Sequence, residues 1–272
     1  MDIQKVVLVT GVTSGIGEAT AKLLSELSFR VFGTMRRLNG SNTGLRNTEL
    51  VRLDVCDEES VRSCVRTVLD RAGRIDALVN NAGHALIGSS EETSIEEAKE
   101  LFETNFFGVL RMIRAVLPTM REQRSGRIVN ISSVVGFLPA PYMGVYAASK
   151  HALEGYSESL DHEVRQFGIR ISVVEPGFTR TSLDQNGRLA GQHLEAYAGE
   201  RDRAREAVRA SIARGENPAR VASVVAEALK SRSPRRRYPA GREAKFLSLL
   251  KKLAPAQLLD KGIRKQFGLE AA

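Results

Sequence analysis

The chain has 272 residues, of which 42% are hydrophobic and 26% are charged. This composition excludes a disordered chain, and the length suits one α/β domain over residues 1–272. No apolar run approaches the ~20 residues needed to cross a bilayer, and no signal segment precedes the first apolar run, so we expect a cytoplasmic protein. The two cysteines and four histidines show no metal-ligand spacing, which predicts that no metal is bound.

The net charge of +8 is distributed unevenly along the chain. Residues 201–272 carry 18 basic and 7 acidic side chains, whereas the first 200 residues carry 22 basic and 25 acidic side chains. The basic excess therefore belongs to the C-terminal part. It bears on what that part contacts rather than on the fold.

From its N-terminus, the chain alternates short β-branched runs with amphipathic stretches of helical spacing. A polar segment at residues 39–47 predicts a loop. The alternation implies right-handed crossovers and a parallel sheet, so we predict a doubly wound α/β sheet of about seven strands with helices on both faces. The predicted strands are 6–9, 30–34, 50–53, 76–79, 127–131 and 169–174, and the predicted helices are 16–27, 60–69, 95–121 and 145–166.

Beyond Pro176 the alternation becomes irregular. Residues 179–198 are polar and predict a loop with a helical part, followed by a helix at 219–229 and a last strand at 235–238. The tail places four apolar residues at positions i, i+3, i+4 and i+7, which is one face of a helix. These residues are Phe246, Leu249, Leu250 and Leu253.

A glycine-rich turn separates the first predicted strand from the first helix. Glycine there permits a tight turn, close approach of the backbone to a pyrophosphate, and close packing of helix on strand. The free N–H groups of the helix N-terminus then face the phosphates. We expect nucleotide binding by Gly11, Thr13, Ser14, Gly15, Ile16 and Gly17.

Four motifs in order resemble the short-chain dehydrogenase/reductase family. They are Gly-x3-Gly-x-Gly at 11–17, Asn-Asn-Ala-Gly at 80–83, Tyr-x3-Lys at 146–150 and Pro-Gly at 176–177. The layout resembles the branch that contains hydroxysteroid and retinol dehydrogenases. The resemblance covers roughly residues 6–181 and implies a Rossmann-type fold and an oxidoreductase acting on alcohols and ketones with a nicotinamide cofactor.

The resemblance also assigns further cofactor contacts. Asn81, Ala82 and Gly83 would contact the adenosine side of the cofactor. Asp54 would hydrogen-bond the adenine, with Val55 beside it. Pro176 and Gly177 would lie beside the nicotinamide, and Thr179 and Thr181 would hold the carboxamide or the pyrophosphate. Tyr146 and Lys150 would also contact the cofactor, with Lys150 holding the ribose hydroxyls of the nicotinamide side.

The end of the second strand indicates which nicotinamide cofactor is used. Enzymes specific for NAD usually place an acidic residue there, but this chain has Arg36 and Arg37. Guanidinium groups suit a 2′-phosphate. We therefore expect a preference for NADP(H), with Arg36 the first contact.

Tyr146 and Lys150 lie four residues apart on a predicted helix and share a face. An ammonium nearby is expected to lower the pKa of the phenol, whose ordinary pKa is ~10. By resemblance, Ser133 is the catalytic serine that steadies the substrate oxygen, with Ser132 the second choice. Asn105 matches the family's asparagine that helps hold a water next to the lysine. The four residues would form a proton relay.

The expected substrate is a lipophilic alcohol or ketone, such as a steroid or retinoid type of compound, because most residues near the motifs are apolar. Substrate contacts are expected from Ser133, His84, Tyr142 and Met143. Further lining residues would be Val134, Val135, Phe137, Leu138 and Pro139.

Residues 181–214 are expected to act as a substrate lid that is poorly ordered without substrate. For the tail at 242–266, we favour packing over the pocket or against a second subunit of a homodimer or homotetramer. The alternative is an interfacial helix on a membrane.

The basic run at 235–237 has no nucleic-acid motif beside it, so no nucleic-acid partner is expected. A non-catalytic NADP(H)-sensing protein remains the alternative function, and an epimerase or dehydratase is disfavoured for lack of a second domain.

Overall fold

The computed structural model describes residues 4–38, 44–181 and 188–269. Within them, seven parallel strands form one sheet in the order β3-β2-β1-β4-β6-β7-β9. The chain winds from β1 outward to β3, returns to β4 beside β1, and then winds outward in the other direction. The doubly wound α/β fold is therefore confirmed. The strands of this sheet are β1 (Val6–Val9), β2 (Arg30–Met35), β3 (Thr48–Arg52), β4 (Ala77–Asn80), β6 (Gly126–Ile131), β7 (Ile169–Pro176) and β9 (Arg237–Ala240).

Helices connect these strands and cover both faces of the sheet. None of the helices in the described ranges is long and apolar enough to span a bilayer. The helices are α1 (Gly15–Glu26), α2 (Glu58–Ala72), α3 (Ile95–Phe102), α4 (Gly108–Glu122), α5 (Gly144–Val164), α6 (Ala198–Ala213), α7 (Pro218–Lys230), α8 (Arg242–Leu253) and α9 (Ala256–Gln266).

The β1 strand shows why its sequence is apolar at every position. Val6 and Leu8 enter the core on one face of the sheet, while Val7 and Val9 enter the core on the other face. A strand buried on both faces gains nothing from alternating polar residues. The uninterrupted apolar run therefore predicts the central strand correctly.

Three local features differ from the sequence prediction. Residues Glu103–Phe107 form a π-helix that divides the helix predicted at 95–121 into α3 and α4. The last strand lies two residues later than predicted. Pro239, which lacks an N–H, is tolerated in it because β9 is at the edge of the sheet. A second, two-stranded sheet joins β5 (Leu86–Ile87) to β8 (Arg188–Leu189).

Beyond Pro176, the described residues contain more helix and strand than the irregular pattern of the sequence indicates. Residues 182–187 of the predicted lid lie outside the described residues, as do 39–43 of the predicted loop. The remaining lid residues form β8, a short turn and α6. Buried Ala204, Val208 and Ile212 of α6 pack into an apolar cluster with Tyr146 and Met143.

The tail at 242–266 forms α8 and α9. Buried Ala244 and half-buried Leu247 and Ile263 face the same apolar cluster. The predicted stripe lies mostly on another side of α8, where Phe246 and Leu253 are 62% and 74% exposed. Within the described residues, the tail therefore contacts this cluster through other side chains, while most of the stripe stays exposed.

Candidate active site

The glycine-rich turn after β1 is built by three glycines with separate tasks. Gly11 and Gly15 adopt φ of +71° and +64°, a region that L side chains rarely adopt. Gly17 has an ordinary φ, but a Cβ there would overlap the carbonyl oxygen of Gly11 and the side-chain amide of Asn81. The turn therefore leaves an open backbone cradle before α1.

Side chains from two neighbouring strands hold this cradle. The Asn81 amide nitrogen donates to the carbonyl oxygens of Thr10 and Gly11, both at 2.9 Å. The Thr10 hydroxyl accepts from the backbone N–H groups of Asn81 and Ala82 at 2.9 and 3.0 Å. Thr10 was missed by the sequence analysis. Its position directly after an apolar strand is the only signal that could have indicated it.

Three further predicted cofactor residues lie after β7 and after β2. A Cβ at Gly15 would lie 3.0 Å from Cγ2 of Thr181, so the segment after β7 reaches the turn after β1. Val12 N–H donates to Thr34 O at 3.0 Å and ties the turn to the end of β2. Arg36 and Arg37 follow that strand end directly and are both exposed.

The predicted adenine contacts lie beyond the next strand. The Asp54 carboxylate accepts from the backbone N–H of Cys56 at 2.9 Å, which shapes the turn after β3. Val55 is buried against Gly108, where a Cβ would lie 2.8 Å from a valine methyl. The parallel sheet thus brings the ends of β1, β2, β3 and β4 to one edge, as the motifs require.

Tyr146, Lys150 and Ser133 come together where β6 meets α5. Tyr146 and Lys150 are only 8% and 7% exposed, and the Lys150 Nζ lies 5.8 Å from the Tyr146 ring centroid. Ser133 forms a side-chain hydrogen bond with Tyr146, and its oxygen also accepts from Val135 N–H at 3.3 Å. The Lys150 ammonium donates to the carbonyl oxygen of Ile131 at 2.9 Å.

Burial dominates the ionisation of this pair. It raises the pKa of Tyr146 to about 12, although the Ser133 hydrogen bond acts in the opposite direction. It lowers the pKa of Lys150 to about 8, although the Glu154 carboxylate opposes that change. In the protein without a cofactor, the pKa of Tyr146 therefore lies above its ordinary value, contrary to the expectation that Lys150 lowers it. The reason is that both groups are buried.

Asn105 lies in the π-helix and is 1% exposed. Its side-chain oxygen accepts from His84 N–H at 3.0 Å, and its amide donates to His84 O at 2.9 Å and to the Ser149 hydroxyl at 3.3 Å. An extra residue in a helical turn moves a side chain out of the regular helical positions, as π-helical turns at functional sites often do. Asn105 thus joins the segment after β4 to the helix that carries Lys150.

Ser132, the second-choice catalytic serine, has another partner. Its hydroxyl donates to the buried carboxylate of Glu154 at 2.7 Å, whereas Ser133 faces Tyr146. The structure therefore supports Ser133 as the serine of the site. Glu154 was not predicted from the sequence, because a buried polar residue inside a helix carries no local signal.

The predicted substrate residues occupy the apolar side of this site. Met143 is buried in the cluster that contains Tyr146. Burial lowers the pKa of His84, which favours a neutral imidazole. Tyr142 has a φ of +59°, and its hydroxyl donates to Glu200 of α6 at 3.1 Å. Tyr142 thus fixes α6 over the site. Of the remaining lining residues, Val134, Val135 and Leu138 are buried, Phe137 is half-buried and Pro139 is exposed.

The residues present fit a nicotinamide dinucleotide. The glycine cradle at the helix N-terminus leaves space that any Cβ would fill, and it lies on the same sheet edge as the buried Tyr146–Lys150 pair. No cluster of three or more His, Cys, Asp or Glu residues that could hold a metal occurs among the described residues.

Comparisons of sequence and structure agree with this geometry. The family model for short chain dehydrogenases matches residues 5–190. A 3-ketodihydrosphingosine reductase of Bacteroides thetaiotaomicron is 37% identical over 240 residues, which cover 87% of this chain and 88% of that protein. Retinol dehydrogenase 8 of Bos taurus is 42% identical over 202 residues, which cover 70% of this chain and 64% of that protein.

Two solved structures of the same fold hold nicotinamide cofactors. A short chain dehydrogenase/reductase from Burkholderia phymatum in complex with NAD has a TM-score of 0.75 and 27% identity, covering 87% of this chain and 90% of that chain. A metagenomic short-chain oxidoreductase in complex with NADP has a TM-score of 0.68 and 27% identity, covering 86% of this chain and 95% of that chain. The two cofactors differ, so the fold alone does not choose between them.

Proposed function

Because the chain belongs to the short-chain dehydrogenase/reductase family of oxidoreductases acting on CH–OH groups, we propose that it interconverts a lipophilic alcohol and its ketone or aldehyde with NADP(H). The observation that carries the proposal is the buried Tyr146–Lys150 pair with half-buried Ser133 against it, on the same sheet edge as the glycine cradle. When bound, the nicotinamide would supply the hydride acceptor or donor.

The chain's own residues would bind and orient that cofactor. The cradle formed by Gly11, Gly15 and Gly17 would take the pyrophosphate, and Arg36 and Arg37 would take a 2′-phosphate. Two observations support NADP(H). Both guanidinium groups are exposed at the end of β2, and neither belongs to an ion pair among the residues that the structure describes. The remaining contacts are proposed as the motifs imply: Thr13, Ser14 and Ile16 at the turn, Asp54 and Val55 at the adenine, Asn81, Ala82 and Gly83 beside the adenosine, and Pro176, Gly177, Thr179 and Thr181 on the nicotinamide side.

In the direction of reduction, Ser133 would hydrogen-bond the carbonyl oxygen of the substrate, and the Tyr146 hydroxyl would protonate it. A phenol with a pKa near 12 is protonated at neutral pH, so Tyr146 is ready to donate. Lys150, whose pKa lies near 8, would return a proton to Tyr146 and exchange with solvent near neutral pH. In this relay Asn105 would support the water next to Lys150, through its contacts with Ser149 and His84.

The substrate is proposed to be lipophilic because the site is closed by an apolar cluster that includes Val134, Val135, Met143 and Phe178. The two relatives named above act by name on a ketodihydrosphingosine and on retinol, and both compounds are lipids. Substrate contact is proposed for His84, Tyr142 and Met143 as well as Ser133. Residues 181–214 would cover the substrate, since α6 packs directly on this cluster.

A substrate screen tests the proposal. Purified protein would be mixed with NADPH or NADH and with ketones in matched pairs, a lipophilic compound beside a short hydrophilic one, while absorbance reports cofactor oxidation. We expect turnover of long-chain, steroid or retinoid carbonyl compounds with NADPH. Tight NADPH binding without turnover of any carbonyl compound, or of any alcohol with NADP, would favour the cofactor-sensing alternative instead.

The protein is also proposed to form a homodimer or homotetramer. Phe107 is 44% exposed and belongs to an aromatic group with Phe106 and Tyr156 on the outside of the π-helix and α5. Aromatic side chains are enriched at subunit contacts. Light scattering during gel filtration should give two or four chains, and Phe107→Ser should shift the mass toward one chain.

For the tail, we propose contact with an anionic membrane surface, with the protein in the cytoplasm. The exposed stripe of α8 has Lys245 and Lys252 along one flank, about 100° and about 120° from Phe246 at 3.6 residues per turn. An apolar strip beside basic residues suits anionic lipid headgroups. Two copies of the same tail would instead bring like charges together. The free thiols Cys56 and Cys64 are consistent with a reducing compartment.

Vesicle flotation tests this contact. The protein should float with vesicles of phosphatidylcholine and phosphatidylglycerol, less so at high salt, and not with phosphatidylcholine alone. Leu249→Ser with Leu253→Ser should abolish flotation, whereas Leu27→Ser, at an exposed leucine directly after α1, should not. Loss of oligomers in the tail variant, with no vesicle binding by the natural chain, would identify the stripe as a subunit contact.

A further inference from the structure

A buried charged cluster lies directly behind the proposed active site and is not used by the proposed relay. Arg237 of β9 donates to Glu175 of β7 at 2.6 Å, to Glu154 of α5, and to Glu158 of α5 at 2.7 Å. The Glu154 and Glu175 side chains are 2% and 1% exposed, whereas that of Glu158 is 38% exposed. The cluster thus joins three elements that end at the site.

The Glu154 carboxylate touches both sides of the segment that carries Ser133. Its Oε1 accepts the Ser132 hydroxyl at 2.7 Å. The same oxygen lies so close to Gly136 that a Cβ there would overlap it. A displacement of this carboxylate would therefore move the turn at Val134–Gly136 and, with it, the Ser133 hydroxyl that faces Tyr146.

The other two ends of the cluster lead to the lysine and to the nicotinamide side. Glu154 follows Lys150 by one helical turn and favours the charged form of that amine against the effect of burial. Glu175 directly precedes Pro176 and Gly177. Burial and the Glu154 carboxylate raise the pKa of Glu175 to about 7, while Arg237 opposes that rise.

Stability alone does not account for this arrangement. Removing the Glu154 and Glu175 carboxylates from water is costly even beside the partly exposed Arg237, and well-packed apolar residues often serve a core as well or better. The alternative role is a clamp for the edge strand β9, and that role requires no contact with Ser132 or Gly136. The contacts on both sides of Ser133 are what separates the two interpretations.

We propose that Glu154, held by Arg237, is a positioning residue that fixes the Ser133 hydroxyl and places a negative charge one helical turn from Lys150. This inference rests on the proposed function. The titratable groups that face Lys150 are Tyr146 and Glu154 on its own helix and His84 after β4. Those that face Glu154 are Lys150, Glu158, Glu175 and Arg237.

The test compares Glu154→Gln with Glu158→Gln. Glutamine at 154 keeps the shape and an oxygen for Ser132 but removes the charge, whereas the control loses a bond to Arg237 without touching the Ser133 segment. For Glu154→Gln we expect a kcat about 10-fold to 100-fold lower, with the KM for the cofactor within about 3-fold, because ground-state cofactor binding is not altered. The pH midpoint assigned to Lys150 should move to lower pH, because the charge that favours the ammonium is gone.

Equal losses of kcat, cofactor KM and melting temperature in both variants, with an unshifted pH midpoint, would overturn the proposal and leave only a structural clamp. If Glu154→Gln does not fold, Ser132→Ala leaves the ion pairs intact and should still lower kcat, and an unchanged kcat would also overturn it. The pKa of Lys150, measured by NMR titration of its side chain, needs no substrate. If the protein shows no turnover but Glu154→Gln still lowers the pKa of Lys150, the proposed function is wrong. The electrostatic coupling between Glu154 and Lys150 would then still hold.

Discussion

The cofactor half and the substrate half of the molecule are held in place by different kinds of contact. The cofactor half, formed by the turns after β1, β2 and β4, is shaped by glycines and by bonds to main-chain atoms, such as those of Thr10 and Asn81. The substrate half, formed by α6, β8 and the residues that they contact around Glu92, Glu100 and Tyr142, is held together by bonds between side chains. Arg188 pairs with Glu100 at 2.6 Å, Arg201 with the buried Glu92, and Tyr142 with Glu200.

This difference explains what each half can tolerate. Bonds to the main chain require particular φ values and empty space, and only a few residue types satisfy them. Side-chain bonds can be exchanged for other pairs of similar reach, so this half can vary with the substrate while the cofactor half stays the same. Substitutions in the two halves should therefore affect different properties of the protein, mainly cofactor binding in the cofactor half and stability in the substrate half.

The largest effect on stability is expected at Glu92. Burial opposes its ionisation, yet hydrogen bonds from the backbone of Leu194 and Ser89, from the Ser89 hydroxyl and from Arg201 hold the pKa of Glu92 at about 2. Glu92→Gln removes the buried partner of Arg201 and leaves it only the exposed Asp202 at 3.8 Å, which should cost about 3–5 kcal/mol in the free energy of unfolding at neutral pH. Denaturant titration measures this loss.

The same residue predicts a pH dependence with a definite sign. The folded pKa lies below the ordinary value of 4.5, so the carboxylate stabilises the fold above that value and loses this contribution as the pH falls toward 2. The difference between natural chain and variant should shrink over this range. The control, Glu91→Gln, loses only an exposed bond to Tyr197 and should cost little. A Glu92→Gln variant as stable as this control would contradict the interpretation.

In the cofactor half, Gly17→Ala should weaken cofactor binding more than it weakens the fold. The added methyl would overlap the Gly11 carbonyl oxygen and displace the cradle. We expect an affinity for NADPH about 100-fold lower, or about 2.7 kcal/mol, together with a loss of about 1–3 kcal/mol in stability from overpacking. Fluorescence titration with NADPH is the measurement.

Gly155→Ala is the matched control for that change. Gly155 lies in α5 with no atom within 4 Å of the position of a Cβ. Alanine there should raise stability by about 0.5–1 kcal/mol, since it favours helix, and should leave NADPH binding unchanged. If both alanine variants bind NADPH like the natural chain, the cradle is not where the cofactor binds.

A smaller effect is expected at Arg36, where only a charge-assisted contact is removed. Arg36→Ala should raise the KM for NADPH about 10-fold to 30-fold, or about 1.4–2 kcal/mol, and change the KM for NADH about 2-fold or less. Arg37→Ala should show a weaker shift in the same direction. Equal changes with both cofactors would contradict a contact between Arg36 and a 2′-phosphate.

The same division between the two halves sets what the sequence can predict. Strands β1 to β4, β6 and β7, the glycine turn and the Tyr146–Lys150 spacing are local patterns, and their predicted positions agree with the structure to within about two residues at the strand ends. Helix α3 was also recognisable from its start, where Ser94 and Glu97 form a capping box.

The parts that could not be predicted depend on contacts between distant residues. The π-helix around Asn105 has no periodic signal and is stabilised by bonds to His84 and Ser149, 21 and 44 residues away. The two-residue strands β5 and β8 are too short to show alternation. Arg237 was assigned only to a basic strand end, because its three carboxylate partners come from α5 and β7.

The proton donor of the reaction can be tested most directly by comparing Tyr146→Phe with Tyr156→Phe, two changes that each remove one hydroxyl from α5. Turnover and NADPH binding should be measured on the same preparations, with a carbonyl substrate from the screen. We predict that Tyr146→Phe lowers kcat about 10³-fold with NADPH affinity within about 3-fold, and that Tyr156→Phe changes neither. Retained turnover in Tyr146→Phe would contradict proton transfer by this residue and the active site built around it.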